Sequence, residues 1–191
     1  MAVDEKRYAD AEHAYFLNGV QVPSITQMLK AAGHIDDTVY AEGSAERGRI
    51  VHALCADVDL GALDPAACQS VHRGFVLAHH AAMMCLRPSI LSVEQPQVSA
   101  THRFGGRIDR VVTINGLRGC LDIKSGAPEP WHALQLALGC ILESEDCGIP
   151  PENLGRWGLY IKDSGKWSVR VHDNKQDFSE ARRILRDFAG R

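Results

Sequence analysis

Three charged side chains flank a predicted β-turn in the middle of the chain. Asp109 precedes the dipeptide Asn115-Gly116, and Asp122 and Lys124 follow it. Asn-Gly between two β-rich runs is typical of a hairpin, because a type I′ turn needs positive φ at both central residues. A two-residue turn here predicts that Asp109 faces Asp122 across the hairpin. Lys124 is expected on the same face as Asp122, because side chains alternate along a strand.

Two carboxylates and an ammonium group that converge on one sheet face suit the binding of a hard divalent cation. Like charges directly opposite each other destabilise a sheet, and a buried carboxylate is costly unless it is paired, protonated or metal-bound. Carboxylate oxygens are preferred ligands of Mg²⁺ and related ions, which act as Lewis acids and activate water. An exposed edge pair is the structural alternative. Apolar residues on both faces of the hairpin indicate a buried sheet instead: Ile108, Val111, Val112, Ile114, Leu121 and Ile123.

Hydrophobic periodicity and capping residues predict the elements that position this hairpin. Helices are predicted at about 25–32, 44–58, 131–145 and 175–189, and Asp64-Pro65 predicts the start of a further helix that reaches Leu86. Strands are predicted at about 90–98, 104–114 and 117–124, with a closing hairpin of 156–162 and 166–172. This order predicts an α/β (α+β) fold with a central mixed β-sheet flanked by helices, as one domain over residues 1–191.

Three polar side chains outside the hairpin are further candidates for a site. His52 lies in the middle of a helix, one turn after Gly48, and is either a ligand or a structural histidine. Glu94 lies in an apolar strand and could be a further ligand, the partner of an arginine, or simply exposed. Gln135 lies in an otherwise apolar helix and needs a hydrogen-bonding partner there, which the charged residues of the hairpin could supply.

The charge of the chain offers no bulk attraction for a polyanion. The formal net charge is −3, so binding of a nucleic acid would need a local basic patch. One candidate patch surrounds the hairpin, and a solvated sheet edge is an equally good interpretation of it. Its members are His102, Arg103, Arg107, Arg110 and Arg118.

Several classes of protein are not indicated by the composition. The six cysteines form no Cys-x-x-Cys pair, so neither a zinc ribbon nor an iron–sulfur cluster is predicted. No apolar run approaches the roughly 20 residues of a transmembrane helix. The polar amino terminus lacks the apolar core of a signal peptide, so a cytoplasmic location is expected.

Taken in order along the chain, the motifs resemble the RecB-type branch of the PD-(D/E)XK nucleases, especially its single-domain phage and prophage versions. The resemblance covers most of the chain, and the ordered set is more specific than any single element. The matching elements are Val22-Pro-Ser-Ile-Thr26, Arg47-Gly48 with His52, Glu94, Gly106 with Asp109, Asp122-Ile-Lys124-Ser-Gly126, and Gln135.

The resemblance implies a restriction-endonuclease-like core and a role for each matching residue. His52, Asp109 and Asp122 would bind one or two Mg²⁺ or Mn²⁺ ions with the carbonyl of Ile123, and Glu94 is a weaker candidate ligand. Lys124 would position or activate the attacking water, and Gln135 would support the site or contact DNA. Arg47 of the matching Arg47-Gly48 element is a predicted DNA contact, and so are Arg103, Arg107 and Arg118, which belong to the basic patch around the hairpin.

The chain departs from the family in two places. A tyrosine often follows the glutamine by four residues in the family, whereas this chain has Gly139. The iron–sulfur cysteines of the CRISPR-associated relatives are absent, so no such cluster is expected. The first departure bears on substrate contacts rather than on catalysis.

The leading hypothesis is therefore a metal-dependent deoxyribonuclease, specifically an exonuclease in phage-type recombination or DNA processing. A structure-specific endonuclease and a nuclease-derived DNA-binding module that no longer cleaves are the alternatives. Retention of Asp109, Asp122 and Lys124 together with His52 argues against the non-cleaving module. DNA is the expected partner, with a homo-oligomer or a single-strand-annealing protein as a possible second partner and no membrane.

Overall fold

A computed structural model describes residues 4–9, 14–36 and 43–189, and within these ranges it contains two sheets and five α-helices. The strands are β1 (Lys6–Ala9), β2 (Ala14–Leu17), β3 (Val20–Val22), β4 (Ser89–Ser99), β5 (Phe104–Ile114), β6 (Leu117–Lys124), β7 (Gly155–Ile161) and β8 (Trp167–Val171). The helices are α1 (Ile25–Ala31), α2 (Ser44–Asp59), α3 (Arg73–Leu86), α4 (Trp131–Cys147) and α5 (Gln176–Ala189). The polar amino terminus was the basis for predicting that no signal peptide is present. Its residues 1–3 lie outside the described ranges.

The central sheet has the strand order β4-β5-β6-β7-β8. Strands β4, β5 and β6 form an antiparallel meander, β6 and β7 are parallel, and β8 returns antiparallel to β7. The parallel pair requires a crossover connection, which α4 supplies. The predicted α/β fold with a central mixed sheet flanked by helices is confirmed.

Each face of the central sheet packs against its own set of helices. Helices α1, α4 and α5 cover one face, where their apolar side chains form a core with Phe104, Ile108 and Cys120. Helices α2 and α3 cover the other face, against Leu121 and Ile123. The helix α4 is buried on nearly all sides, as its apolar sequence predicts. Among the described residues, none of the helices combines the length and apolar character needed to cross a bilayer.

The hairpin of β5 and β6 has the register that the Asn115-Gly116 turn predicts. Both turn residues have positive φ, at 51° and 81°, and Ile114 pairs with Leu117. Pairing then continues without a shift as far as Arg110 and Leu121. The predicted register is therefore confirmed.

A three-stranded antiparallel sheet of β1, β2 and β3 was not predicted from the sequence. This sheet and α1 pack directly on the start of β5, where two glycines make room for them. A Cβ atom on Gly105 would lie 2.2 Å from the ring of Tyr15, and one on Gly106 would lie 2.5 Å from Ile25. A larger residue at Gly105 would displace Tyr15 close to its backbone, whereas one at Gly106 would meet the terminal methyl group of Ile25, which can shift more easily.

The predicted start of the third helix at Asp64 is wrong. Asp64 does cap a turn, since its carboxylate accepts the backbone N–H of Ala66 over 2.9 Å, but only the short 3₁₀-helix Pro65–Ala67 follows. The backbone of Cys68 is extended and its side chain is buried, which ends that turn. A separate helix, α3, then begins at Arg73.

Candidate metal centre

Three acidic residues occupy one row across the neighbouring strands β4, β5 and β6. In the register of β4 and β5, Glu94 lies opposite Asp109. In the register of β5 and β6, Asp109 lies opposite Asp122, one position past the last backbone pair. Like charges at facing positions repel one another, so this row needs cations to be stable.

His52 completes a compact donor group with two of these carboxylates. Its Nδ1 atom lies 3.4 Å from Oδ2 of Asp109 and 3.6 Å from Oε1 of Glu94. One ligand atom from each of the three residues lies within 4.8 Å of the other two. His52 and Glu94 are about one-quarter exposed and Asp109 is buried, so the group opens to solvent on one side.

The local backbone brings these three side chains together. On α2, Val51 and Cys55 are buried against the sheet, and His52 lies at the border of this apolar stripe. Glu94 has a φ of 50°, and such a left-handed conformation is uncommon for a residue other than glycine. Asp109 accepts the backbone N–H of Ile123 over 2.7 Å, which fixes its carboxylate beside β6.

The charges of His52 and Asp109 stabilise each other. Burial by itself would lower the pKa of His52, but the carboxylates of Asp109 and Glu94 outweigh it and raise the pKa to about 10. Burial would raise the pKa of Asp109, but His52, Lys124 and the Ile123 N–H outweigh it and lower the pKa to about 2. In the metal-free protein, protonated His52 therefore neutralises this part of the row together with Arg110, which pairs with Glu94.

Asp122 lies in a different environment from Asp109. Burial raises its pKa to about 6, and the negative charge of Asp109 adds to that effect. Lys124 opposes the shift, because its Nζ atom lies 2.8 Å from Oδ2 of Asp122. The two carboxylates therefore titrate far apart, which is typical of functional sites.

Lys124 is held in place by groups on α4. Its Nζ donates to Oε1 of Gln135 over 2.8 Å and lies 5.0 Å from the ring centre of Trp131. Lys124 is thus the partner that Gln135 needs in its apolar helix. The adjacent His132 contacts the hydroxyl of Tyr160, and burial lowers the pKa of His132 to about 3.

The donor set fits a hard divalent cation. Two carboxylates and one imidazole already converge, and the carboxylate of Asp122 follows Asp109 in the row. Oxygen donors suit Mg²⁺ and Mn²⁺, and the imidazole favours Mn²⁺ more than Mg²⁺. His52, Glu94 and Asp109 would hold the ion. Coordination by Asp122 and by the carbonyl of Ile123 stays a prediction.

A cavity of about 240 Å³ opens beside Gln135 and Arg107. Its other walls come from the amino-terminal sheet and α1, through Tyr15, Ser24, Ile25 and Thr26, together with Gly106. Arg107 donates to the hydroxyl of Tyr8, and its guanidinium lies 5.0 Å from that ring. Arg107 does not pair with Glu94, which Arg110 binds instead. Gln135 and the cationic side chain of Arg107 therefore line the same cavity.

The other predicted DNA-binding arginines are more widely dispersed. Arg118 donates to Oε1 of buried Glu143 over 2.8 Å, at the turn end of the hairpin. Arg103 is exposed in the β4–β5 turn with a φ of 54°. Arg47 is half-buried in the first turns of α2. Their contacts with DNA stay predictions.

The sequence placed Arg110 in the basic patch, and this is wrong because its side chain is fully buried. Its partner Asp59, and His79 which contacts Asp59, were not identified from the sequence, and both of these side chains are buried too. One signal was available. Arg110 follows Asp109 in an apolar strand, and a buried arginine must have acidic partners.

Comparisons with known proteins find similar folds among solved structures. No family model matches the chain, and no curated protein matches it. Among solved structures, the chain is similar to a crystal structure from Eubacterium rectale described as a "Putative exonuclease". The identity is 13%, the TM-score is 0.45, and the match covers 88% of this chain and 75% of the other. A likeness at this level carries no argument about function.

Proposed function

We propose that this chain is a divalent-metal-dependent deoxyribonuclease that hydrolyses phosphodiester bonds. The observation that carries the proposal is the row of Glu94, Asp109 and Asp122, with His52 at one side and Lys124 at the other. Carboxylates at facing positions of a sheet repel one another, so this row is costly to the fold unless cations neutralise it. It offers an oxygen-rich site for a cation beside a positioned ammonium group.

The acidic row and the neighbouring Lys124 would each have a separate role in hydrolysis. A bound Mg²⁺ or Mn²⁺ ion would supply Lewis acidity and lower the pKa of a water molecule. Lys124, held by Asp122 and Gln135, would donate from Nζ to the water or to a phosphate oxygen. Asp109, anchored by the Ile123 N–H, would hold its carboxylate in a fixed direction.

The substrate would approach through the cavity beside Gln135. Arg107 lies on its wall and would bind a phosphate of the backbone, which fixes the register of a strand without reading its sequence. Gly139 lies one turn after Gln135, and a Cβ atom there would make only ordinary contacts at 3.9 Å. A Cβ atom alone would therefore fit at this buried position, where the family often has a tyrosine.

The finer proposal is exonuclease action in phage-type recombination or DNA processing, and it follows from the resemblance of the motifs. A second copy of the chain or a single-strand-annealing protein is the proposed partner. One experiment tests both the activity and its mode. Purified protein is incubated with end-labelled linear DNA and with closed circular DNA, in Mg²⁺ and in Mn²⁺.

We expect mononucleotides or short products from linear DNA and none from closed circles. Cleavage of the circles would show an endonuclease and overturn the finer proposal. The Lys124→Ala variant serves as the negative control, and Lys162→Ala, an exposed lysine in the β7–β8 turn, serves as the matched positive control. Intact linear and circular DNA in both metals would overturn nuclease activity itself.

A further inference from the structure

A chain of buried charged side chains runs from the candidate metal centre into the protein. Arg110 is its middle member, with a side chain that is 0% exposed. Its Nε donates to Oδ2 of Asp59 over 2.6 Å, and its Nη1 donates to Oε1 of Glu94 over 3.1 Å. Behind Asp59, the Nε2 of His79 lies 2.9 Å from both carboxylate oxygens.

The contacts of Glu94 lead back to α2 in two directions, through His52 and through Arg110 with Asp59. His52 and Asp59 are seven residues apart, so they lie two turns apart on the same side of that helix. His52 contacts Glu94, and Asp59 binds the arginine that binds Glu94. Through Glu94, strand β4 is thus linked to two positions on one face of α2, which are two helical turns apart. Movement of the Glu94 side chain would break its contacts with both His52 and Arg110.

Hydrophobic packing alone does not account for this arrangement. A buried ion pair contributes little stability compared with well-packed apolar residues, because both charges lose their hydration. Glu94 also has its unfavourable backbone conformation, with a φ of 50°. Residues in such conformations are common at functional sites, where the surrounding structure holds them in place. Arg110 and His52 both contact the carboxylate of Glu94, and of the two only Arg110 is fully buried.

We infer that Arg110 is a positioning residue that places Glu94 as a ligand of the metal centre. Asp59 holds Arg110, and His79 holds Asp59. The inference rests on the proposed metal-dependent function. Arg110 donates to Oε1 of Glu94, the same oxygen that lies 3.6 Å from Nδ1 of His52, so Arg110 holds this carboxylate beside the donor group. Groups that orient a ligand in this way commonly change metal affinity by about 10- to 100-fold when they are removed.

The test is a calorimetric titration of the purified protein with Mn²⁺ alone, without DNA. The Arg110→Lys variant keeps the charge but lacks the planar fork that reaches Asp59 and Glu94 together. We expect its affinity for Mn²⁺ to be at least about tenfold weaker than that of the wild type. The Asp59→Asn variant, which keeps the shape but removes a charge that holds Arg110, should also bind Mn²⁺ more weakly.

Arg156 provides a matched control for the loss of a buried arginine. It is 3% exposed in β7 and donates to Asp177, to the carbonyl of Asn174 and to the carbonyl of Ala133. Arg156→Lys should destabilise the protein as Arg110→Lys does, yet leave the Mn²⁺ affinity within about twofold of wild type. The melting temperature of each variant separates loss of folding from loss of metal binding.

A double-variant comparison shows whether Arg110 acts through Glu94. Glu94→Gln combined with Arg110→Lys should bind Mn²⁺ no more than about twofold more weakly than Glu94→Gln alone. Additive losses would overturn the inference, as would unchanged Mn²⁺ affinity in both Arg110→Lys and Asp59→Asn. No Mn²⁺ binding by the wild type would instead overturn the proposed function on which the inference rests. If Arg110→Lys does not fold, the Mn²⁺ affinity of Asp59→Asn is the test: weaker binding supports the inference, and unchanged binding overturns it.

Discussion

The backbone N–H of Ile123 donates to Oδ2 of Asp109, with 2.7 Å between the two atoms. Backbone pairing between β5 and β6 has already ended at Arg110 and Leu121, so this bond takes the place of the next ladder contact. Asp109 is thereby fixed beside the strand that carries Asp122. The two carboxylates are neighbours because a side chain, rather than the backbone, joins the strands at this point.

Lys124 should be essential for DNA hydrolysis, and Gln135 should support it. Lys124→Ala, like Asp109→Ala and Asp122→Ala, should reduce hydrolysis to background while the far-ultraviolet circular dichroism stays native. Gln135→Ala removes the acceptor that holds Nζ, so we expect a rate loss of about 10- to 100-fold. Rates on linear DNA check this, with Lys162→Ala as the control. Full activity of Lys124→Ala would contradict the assigned role.

The metal-free protein should become more stable when Asp122 cannot ionise. Because burial raises the pKa of Asp122 from 3.8 to about 6, the folded state binds the proton more tightly than the unfolded state. Ionisation therefore costs stability increasingly between these pH values, and the cost persists above pH 6. Asp122→Asn should melt a few degrees higher than wild type near pH 8 in EDTA.

The same comparison at low pH gives the control for Asp122. Below the unfolded pKa of 3.8 the wild-type carboxyl is neutral in both states, so the two melting temperatures should converge. The expected advantage at higher pH is on the order of 1–3 kcal/mol. An Asp122→Asn variant that is equally stable or less stable at high pH would show that the Lys124 ion pair outweighs the cost of burial.

Metal binding should displace a proton from His52. Its pKa of about 10 means that the imidazole is protonated in the metal-free protein at neutral pH, and only the neutral form binds metal. Mn²⁺ binding at about pH 7.5 should therefore release close to one proton from His52. Calorimetry in buffers of different ionisation enthalpy measures this number. His52→Gln should release fewer protons and bind Mn²⁺ more weakly; equal release from both proteins would remove His52 from the ligand set.

The protonated form of His52 should also stabilise the metal-free fold. The pKa in the folded state is raised above the ordinary value of 6.5, so the stabilisation is complete below pH 6.5 and is lost as pH rises through about 10. In EDTA, the melting temperature of His52→Gln should therefore lie below that of wild type at neutral pH. The gap should narrow toward pH 10; a gap that does not depend on pH would contradict the pairing with Asp109 and Glu94.

Arg107 should contribute one phosphate contact to DNA binding. In Ca²⁺, which would occupy the site without supporting cleavage, Arg107→Ala should reduce the log–log dependence of affinity on salt by roughly 0.7 to 0.9. Arg118→Ala is an informative comparison, because it leaves buried Glu143 without that ion pair and should lower the melting temperature. Fluorescence anisotropy over a range of salt measures the slopes. Unchanged slopes in Arg107→Ala and Arg103→Ala would mean that DNA binds to another surface.

The sequence predicted the part of the site that depends on local geometry. The turn at Asn115-Gly116 fixes the register of its hairpin, and alternation then places Asp122 and Lys124 on one face. Glu94 and His52 were harder to assign, because their meeting depends on how α2 packs against β4. The role of Arg110 depends on contacts with Asp59 and Glu94, 51 and 16 residues away in the sequence.

The predictions about the fold that were wrong or missing have similar causes. The three strands of the amino-terminal sheet have only 4, 4 and 3 residues, too few to show clear alternation. Asp64 and Pro65 form a genuine helix-starting signal, but it produces a single 3₁₀ turn, which ends at Cys68, a buried residue with an extended backbone. Local signals identify where a turn begins, whereas tertiary packing decides how far the helix continues.

Asp109 and its neighbours are proposed to hold a divalent ion that is required for DNA hydrolysis. The most direct measurement is the rate of linear DNA hydrolysis by wild type and Asp109→Asn, each in Mn²⁺ and in EDTA. Hydrolysis by wild type in Mn²⁺, with none in EDTA and none by Asp109→Asn in either condition, is the predicted result. Hydrolysis that persists in EDTA, or in Asp109→Asn with Mn²⁺, would contradict the claim.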